Sequence, residues 1–317
     1  MRRLVARAPT RIDFGGGWTD VPPYPAEHEG FVCNIAITRY ATVTVAPGDD
    51  DADVPLISAA RRRAAVTDSR VTLENDFPVG AGLGGSSAAG VALAGALAAW
   101  RGEPLPRADL AERSCTTERS DLGIAGGSQD HYAAAFGGAL ALRFRRDAID
   151  VEPITISRQF GADLTRRCLL WFTGESRISA HQIKVVVDAL GRGDARVLGL
   201  LDGMKQCAIA AADALRRGSV DDLGRIVGAH WELQRELHPS ISTSTIDAIF
   251  ERAYASGALG CKALGASGGG CVIIIVAADD VDRIRRAIGD LAAPLDYALD
   301  SGGFTLLAGP ATEALPA

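Results

Sequence analysis

The stretch whose residue types could most clearly do chemistry is FPVGAGLGGSSAAGVALAGALAAW, residues 77–100, where glycines and serines lead into an alanine-rich segment. Residues 86–100 are apolar nearly all round, which predicts a buried helix. The first amides of a helix lack intrahelical partners and carry the positive end of its dipole, so they attract phosphate. Glycines let the backbone wrap closely around a phosphate, and serine hydroxyls can bind phosphate oxygen or Mg²⁺. The stretch therefore predicts a phosphate site at the start of a helix.

Three other interpretations of the same glycines compete with this one. Gly80, Gly82 and Gly85 satisfy the G-x-G-x-x-G fingerprint of dinucleotide sites, but that fingerprint needs a buried strand directly before it, and ENDFPV carries two acids and a proline. A P-loop needs a lysine after its last glycine, where this chain has Ser86 and Ser87. The third alternative is a structural turn capped by serine. We favour the phosphate site over all three.

Length and composition bound the protein class. A chain of 317 residues, 47% hydrophobic and 23% charged, predicts a globular protein of two domains. The net charge of −6 argues against nucleic acid or an anionic membrane as partner. The 6 cysteines form no C-x-x-C pair, which predicts reduced thiols in a cytoplasmic protein. The N-terminal residues predict no signal peptide, and no apolar window is long enough to span a membrane.

Strand and helix patterns interleave without a regular βαβ rhythm, which predicts an α+β fold with antiparallel or mixed sheets. The predicted strands are residues 30–46, RVTLENDF, GGALALRF, IDVEPIT, RCLLWFTG, the strand before the second glycine loop, CVIIIVA and GGFTLLAG. The predicted helices are residues 86–100, RADLAERSCTTERSDLG, SAHQIKVVVDALGRG, 196–216, 220–237, TSTIDAIFERAYASG and VDRIRRAIGDL. The polar PGDDDADVP predicts a loop, and the least crowded domain boundary lies near residues 150–165.

Three motifs together identify a family resemblance. PVGAGLGGSSAAG resembles the central motif of the GHMP kinase superfamily, and KALGASGGGCVIII resembles its C-terminal glycine motif. APTRIDFGGGWTDVPPYPAEHEG is similar to the sugar-binding motif of the sugar-1-kinase branch, especially the fucokinase and D-glycero-D-manno-heptose-7-phosphate kinase groups. ERSDLGIAGGSQDHYAAAFGG and FTGESRISA also resemble the heptose kinases, so the resemblance covers nearly the whole chain.

The resemblance implies a fold of two domains with a substrate cleft between them. Residues 1–160 would form an N-terminal ATP-binding domain like ribosomal protein S5 domain 2. Residues 161–317 would form a C-terminal ferredoxin-like domain.

The resemblance also implies roles for residues that the chain alone would leave ambiguous. Asp130 matches the catalytic base and Arg11 the basic residue that stabilises it and the transferring phosphate. By themselves they would be a turn or helix-cap aspartate and a surface cation. Glu118 matches the carboxylate that binds Mg²⁺, with Ser87 as partner ligand. Without the family, Glu118 would belong to the solvated face of a charged helix.

ATP and acceptor contacts follow in the same way. The residues implied to bind ATP are Gly80, Gly82, Leu83, Gly84, Gly85, Ser86 and Ser87. The residues implied to bind the acceptor are Thr19, Asp20, His28, Asp130, Arg177, Gly268 and Gly269. Arg177, with Lys184, could bind a second phosphate or a carboxylate, or Arg177 could be a helix-entry cation. His28 alone would be a surface or cap histidine.

Two residues depart from the family pattern. Ser267 occupies a glycine place in GASGGG, which predicts a backbone there that avoids strongly positive φ. His131 replaces the glutamine that commonly follows the catalytic aspartate, so contacts near the substrate are expected to differ.

The expected activity is ATP- and Mg²⁺-dependent phosphorylation of the anomeric hydroxyl of a sugar or sugar phosphate. D-glycero-D-manno-heptose 7-phosphate is the first candidate acceptor, L-fucose the second, and a cyclitol or cyclitol phosphate the third. A non-catalytic sugar sensor on the same fold is the rival of another class, and retention of Asp130, Glu118 and Ser87 argues against it. An NAD-dependent oxidoreductase is the other rival. The chain is expected to be a monomer or homodimer.

Overall fold

A computed structural model describes residues 3–48, 54–176 and 180–308. The strands are β1 (Leu4–Gly15), β2 (Gly30–Pro47), β3 (Ser69–Asn75), β4 (Ala139–Phe144), β5 (Ile149–Ile154), β6 (Cys168–Phe172), β7 (Ala258–Ala263), β8 (Cys271–Val276), β9 (Ala293–Pro294) and β10 (Thr305–Ala308). The helices are α1 (Tyr24–His28), α2 (Pro55–Ala64), α3 (Gly85–Arg101), α4 (Arg107–Thr116), α5 (Gln129–Phe136), α6 (Arg158–Arg167), α7 (Ala180–Gly191), α8 (Ala195–Arg217), α9 (Val220–Glu236), α10 (Ser244–Ala255) and α11 (Val281–Ile288). A π-helical turn, Thr117–Asp121, follows α4, and a 3₁₀ turn, Pro239–Ile241, follows α9.

The strands form two antiparallel sheets. The first has the order β10-β1-β2-β4-β5, with β3 also paired to β2, and the second has the order β7-β8-β6-β9. The α+β prediction is therefore confirmed. The antiparallel first sheet also excludes the parallel βαβ unit that a dinucleotide fingerprint requires.

No local pattern predicted β1, although it lies inside the first sheet between β10 and β2. Pro9 and the charged Arg11 and Asp13 interrupt the apolar pattern that marks a buried strand. The register with β2 shifts between Pro9 and Thr10, so an irregularity in the pairing accommodates the proline.

Helix α2 was not predicted either, because three consecutive arginines follow its short apolar segment. Its buried side chains are Ile57, Ala59, Ala60 and Ala64, while Arg62 and Arg63 lie on the outer side. The predicted polar loop before α2 lies largely in residues 49–53, outside the described residues.

Helix α3 is the central element of the first core, as its composition predicts. Every residue from Ser87 to Trp100 is buried. A Cβ at Gly95 would lie 2.1 Å from the ring of Phe304, so this glycine admits an aromatic ring from just before β10. The chain thus returns to the first sheet at β10, while the boundary near residue 160 stays a prediction.

A second core joins the other sheet to the helices of the C-terminal half. It includes Trp231 of α9, Met204 of α8 and Ile249 of α10. Trp18, from the loop after β1, and Tyr24, the first residue of α1, pack into this same core. The N-terminal motif is therefore held between the two halves of the chain.

Two expectations from composition can be compared with the described residues. Nowhere in 3–48, 54–176 or 180–308 is a helix both long and apolar enough to cross a membrane. All six cysteines are unpaired. Burial raises the pKa of the Cys168 and Cys271 thiols to about 12, so both stay protonated at neutral pH.

Candidate active site

The glycine-rich loop leads directly into the first turn of α3. Gly82 and Gly84 have φ of 72° and 73°, a region that favours glycine. Gly84 is the N-cap of α3 and offers no side chain to the first helical amides. Those amides therefore face the space before the helix with their hydrogen-bonding capacity free for an anion.

Asp130 and Arg11 meet at this loop. Arg11 Nε donates to Asp130 Oδ1 over 2.7 Å, and Arg11 Nη1 donates to Gly82 O over 2.7 Å. The arginine side chain is 3% exposed and the aspartate side chain 24% exposed. A Cβ at Gly84 would lie 3.0 Å from Asp130 Cγ. The structure thus brings the two residues predicted to be catalytic together against the loop predicted to bind phosphate.

Glu118 lies in the π-helical turn that extends α4, a feature common where a helix must redirect a functional side chain. The Ser86 hydroxyl donates to Glu118 Oε1, and His131 Nε2 lies 3.0 Å from Oε2. Burial alone would raise the pKa of the Glu118 carboxyl. The hydrogen bonds from His131 and Ser86 outweigh burial and hold that pKa below its ordinary value, so the group is ionised.

The side chains around Glu118 can supply only part of the coordination shell of Mg²⁺. Among the described residues, no group of three or more His, Cys, Asp or Glu could hold a metal ion. Mg²⁺ in kinases commonly takes one or two protein oxygens and completes its octahedron with phosphate and water. Glu118 and the neighbouring serine hydroxyls can supply that share.

The two serines differ from the predicted arrangement in one respect. Ser86, and not Ser87, is the residue that donates to Glu118. Ser87 is buried, and its Oγ lies 3.3 Å from His131 Nε2. A metal contact by Ser87 remains a prediction.

Asp20, predicted to bind the acceptor, is 3% exposed. Burial raises its pKa to about 6, and the negative charges of Asp130 and Asp13 add to that rise. The Gln129 N–H, which donates to Asp20 Oδ2 over 2.9 Å, opposes it. Asp20 therefore lies within electrostatic range of Asp130, at the N-terminal end of α5.

Thr19, its neighbour, has a fully buried hydroxyl. That hydroxyl donates to Gly16 O over 2.7 Å and accepts from Phe31 N over 3.1 Å. These contacts shape the loop, and a substrate contact by Thr19 remains a prediction.

The outer acceptor residues lie nearer the surface. The His28 side chain is 36% exposed, and its backbone carbonyl accepts from Lys205 Nζ of α8 over 2.9 Å. Lys184 is 73% exposed and pairs with Asp188 over 2.7 Å. Arg177 lies outside the described residues.

The second glycine loop packs against the first. Cys271 N donates to Ala81 O over 2.7 Å, and a Cβ at Gly82 would lie 2.6 Å from Leu264 O. Gly268 N donates to Ile241 O over 2.8 Å, and a Cβ at Gly269 would lie 3.0 Å from Glu175 O. The loop therefore bridges both halves of the chain, and ligand contacts by these two glycines remain a prediction.

The expectation for Ser267 was wrong. Its φ is 63°, inside the left-handed region. Gln234 Nε2 donates to Ser267 Oγ over 2.8 Å, and the hydroxyl itself lies 3.4 Å from Ala263 O. These side-chain hydrogen bonds at a buried position offset the conformational free energy that a left-handed backbone costs a serine.

Sequence reasoning missed a buried polar cluster between β1 and β7. Lys262 Nζ, fully buried, donates to Asp13 Oδ2 over 2.9 Å and to Asp13 O over 2.8 Å. His230 Nε2 accepts from Gly16 N over 2.9 Å, and burial lowers the pKa of this histidine to about 3, so its ring is neutral. The one available signal was a lysine inside a buried strand, which demands a partner.

A concavity among the described residues lies away from these groups. It has a volume of about 1060 Å³ and is lined by residues such as Ile154, Arg158, Thr165 and Tyr297. None of the predicted site residues lines it. Because the residues predicted to be catalytic and the glycine loops converge at the start of α3, the candidate site is placed there and not in this concavity.

Comparisons with known proteins match two family descriptions to the chain. The family GHMP kinases N terminal domain matches residues 55–138, and GHMP kinases C terminal matches residues 211–293. Together they cover more than half of the chain.

Individual relatives extend the match over most of the sequence. The chain is 28% identical to D-glycero-alpha-D-manno-heptose 7-phosphate kinase of Campylobacter jejuni, covering 87% of this chain and 90% of the relative. It is 27% identical to bifunctional fucokinase/GDP-fucose pyrophosphorylase of Arabidopsis thaliana, covering 90% of this chain but 31% of that longer protein. A crystal structure of a D-glycero-D-manno-heptose 1-phosphate kinase from Bacteroides thetaiotaomicron superposes with a TM-score of 0.79 at 25% identity, over 97% of this chain and 100% of that one.

Both halves of the chain thus match the same family, and the match includes the glycine loop before α3 and the α5 segment that carries Asp130. The chain belongs to the GHMP kinase family.

Proposed function

We propose that the protein is an ATP- and Mg²⁺-dependent kinase that phosphorylates the anomeric hydroxyl of a sugar or sugar phosphate. The observation that carries the proposal is the position of Arg11. One guanidinium bonds both to Asp130 Oδ1 and to the carbonyl of Gly82 in the phosphate loop, each over 2.7 Å. A base and a phosphate cradle are thereby held at a fixed separation, which phosphoryl transfer requires.

Each group in the site has a distinct part. The α3 amides and the loop residues Gly80, Gly82, Leu83, Gly84, Gly85, Ser86 and Ser87 would hold the triphosphate. Asp130 would orient the acceptor hydroxyl and take its proton. Arg11 keeps Asp130 in place and would offset negative charge on the transferring group.

Mg²⁺, when bound, would neutralise charge on the phosphate oxygens. Glu118, ionised and held by two hydrogen bonds, is the residue we propose as its carboxylate ligand, with a hydroxyl of Ser86 or Ser87 beside it. The acceptor would be held by Asp20, whose Oδ2 accepts from the Gln129 N–H and which lies near Asp130.

D-glycero-D-manno-heptose 7-phosphate is the acceptor we place first. The support is the similarity to heptose phosphate kinases over nearly the full length of both chains. L-fucose is second, because the N-terminal motif is similar to that of fucokinases. A cyclitol or cyclitol phosphate is third, since its ring presents a comparable array of hydroxyls.

The direct test is Mg²⁺-dependent ADP release from ATP across a panel of acceptors. The panel holds heptose 7-phosphate, fucose, galactose, mannose and cyclitols with and without phosphate, with Asp130→Asn run beside the wild type. We expect turnover with one acceptor and a loss of at least about 100-fold in the variant. ATP binding without turnover on any acceptor would favour a sugar sensor, and absence of ATP binding would overturn the assignment of the glycine loop.

A further inference from the structure

We propose that His131 is a positioning residue that fixes the orientation of the Glu118 carboxylate for Mg²⁺. This inference rests on the proposed function, because it takes Glu118 as the metal ligand. His131 directly follows Asp130 on α5, so one helical turn would serve both the base and the metal carboxylate.

The ring of His131 is held at both nitrogens. Nε2 lies 3.0 Å from Glu118 Oε2 and 3.3 Å from Ser87 Oγ, and Nδ1 lies 2.9 Å from Ser114 Oγ. Nε2–H donates to the carboxylate, while the Ser114 hydroxyl fixes the opposite edge of the ring. A ring anchored at both edges cannot rotate without losing one of these bonds.

Burial makes this contact consequential. The His131 side chain is 1% exposed and the Glu118 side chain 14% exposed, so water competes little for the bond between them. Ser86 donates to the other carboxylate oxygen. With one donor on each oxygen, the plane of the carboxylate is fixed before any ligand arrives, which is how outer partners commonly tune a metal site.

Four chain segments meet at this histidine. Ser87 belongs to α3, Ser114 to α4, Glu118 to the π-helical turn and His131 to α5. The π-helical turn is the irregular element among them. The Glu118 side chain therefore depends on a hydrogen-bond partner from another element to fix its orientation.

Two amide variants separate the two edges of the ring. In His131→Gln the amide nitrogen takes the place of Nε2 and retains a donor to Glu118. In His131→Asn the amide takes the place of Nδ1, retains a partner for Ser114 and leaves Oε2 of Glu118 without its donor. Both remove the imidazole, and because asparagine is one methylene shorter than glutamine, the melting temperature of each variant is measured to account for the difference in lost packing.

The measurements are the apparent Mg²⁺ activation constant and, independently of turnover, Mn²⁺ binding in the presence of ADP by electron paramagnetic resonance. We expect His131→Gln to stay within about threefold of the wild type in both. We expect His131→Asn to weaken both by about 10-fold or more, the range seen when outer partners of metal ligands are lost. Ser114→Ala, which removes the partner of Nδ1 and a longer contact to Ser87 O of 3.5 Å, should weaken both by a smaller factor and is informative even where His131→Asn does not fold.

Equal metal constants in the two amide variants, or a fall in melting temperature with unchanged metal constants, would make His131 a packing residue and overturn the proposal. Glu118→Gln in the same assays distinguishes this from a failure of the proposed function. A large loss of metal affinity in Glu118→Gln with none in His131→Asn refutes only the role of His131. No loss in Glu118→Gln refutes the metal assignment, and the inference with it.

Discussion

Arg11 Nε lies 2.7 Å from Asp130 Oδ1, although 119 positions separate the two residues in the sequence. The same guanidinium reaches the carbonyl of Gly82. The C-terminal half of β1, the glycine-rich loop and the first turn of α5 are thus fixed to one another by a single buried side chain. Any change that removes it should disturb the chemistry more than the fold.

The first prediction concerns this arginine. Arg11→Gln should lower kcat by about 100-fold, because Asp130, the proposed base, loses its orienting partner and the transferring phosphoryl group loses a donor. The melting temperature should fall as well, since the Gly82 carbonyl also loses its partner. Steady-state kinetics and thermal unfolding measure the two effects.

Arg252→Gln is the matched control. Arg252 also bonds a carboxylate, Asp290, over 2.6 Å, but its side chain is 44% exposed and distant from the glycine loops. It should cost no more than about 1 kcal/mol and leave kcat unchanged. Equal activity losses in both variants would show that Arg11 has no special role.

The second prediction follows from the raised pKa of Asp20. A buried carboxyl with a pKa of about 6, against 3.8 in its ordinary state, favours folding in its protonated form. That contribution is fully present below pH 3.8 and is lost as pH rises through about 6. At neutral pH the ionised group therefore costs the fold about 3 kcal/mol.

Asp20→Asn removes this cost and keeps an oxygen for the Gln129 N–H. Compared with wild type, the variant should gain stability steadily from pH 4 to pH 7 and keep that gain above. Urea unfolding at a series of pH values tests the expectation. The kcat/KM for the acceptor should meanwhile fall about 10- to 100-fold, because a charged hydrogen-bond partner is lost. A stability difference that does not change with pH would contradict the raised pKa.

The third prediction uses the two ends of α3. Gly84 and Gly102 have φ of 73° and 78°, so alanine at either should cost about 1–2 kcal/mol in backbone strain. A Cβ at Gly84 would lie 3.0 Å from Asp130 Cγ, whereas a Cβ at Gly102 meets nothing within 4 Å. Only Gly84→Ala should therefore displace the base and lower kcat, by about 10-fold or more.

Circular-dichroism melts and single-turnover kinetics measure the two costs separately. Similar melting temperatures with unequal kcat would place the effect of Gly84 in the active site. Equal kcat in the two variants would mean that the distance between loop and base is not critical.

Local signals in the sequence predicted much of the fold. The alanine-rich α3 and the β-branched β2 have strong local patterns, and both elements lie where these patterns predict them. β1 was not predicted because Pro9, Arg11 and Asp13 are each untypical of a buried strand. Their partners lie far along the chain, so only the folded structure supplies the reason that they are tolerated.

The site divides in the same way. The glycine loop could be predicted from helix physics, and Asp130, Arg11 and Glu118 came from the resemblance to the family. The backbone of Ser267 was mispredicted because its partner, Gln234, is distant in sequence. The contact of Ser86 with Glu118 depends on a π-helical turn that no local sequence pattern predicted.

The last prediction concerns the buried pair of Lys262 and Asp13, which joins the two sheets. Lys262→Met should destabilise the protein by about 3–5 kcal/mol, because it leaves the Asp13 carboxylate buried without its charge partner. Burial alone would raise the pKa of the Asp13 carboxyl, but the charges of Lys262 and Arg11 outweigh burial and hold that pKa below its ordinary value, so Asp13 is ionised.

The double variant Asp13→Asn/Lys262→Met removes both charges and should recover at least half of that loss. Urea unfolding of the wild type, both single variants and the double variant gives the coupling free energy. Recovery would show that each buried charge destabilises the fold chiefly when its partner charge is absent. Strictly additive losses would instead mean that the two side chains stabilise the junction independently, through their other hydrogen bonds.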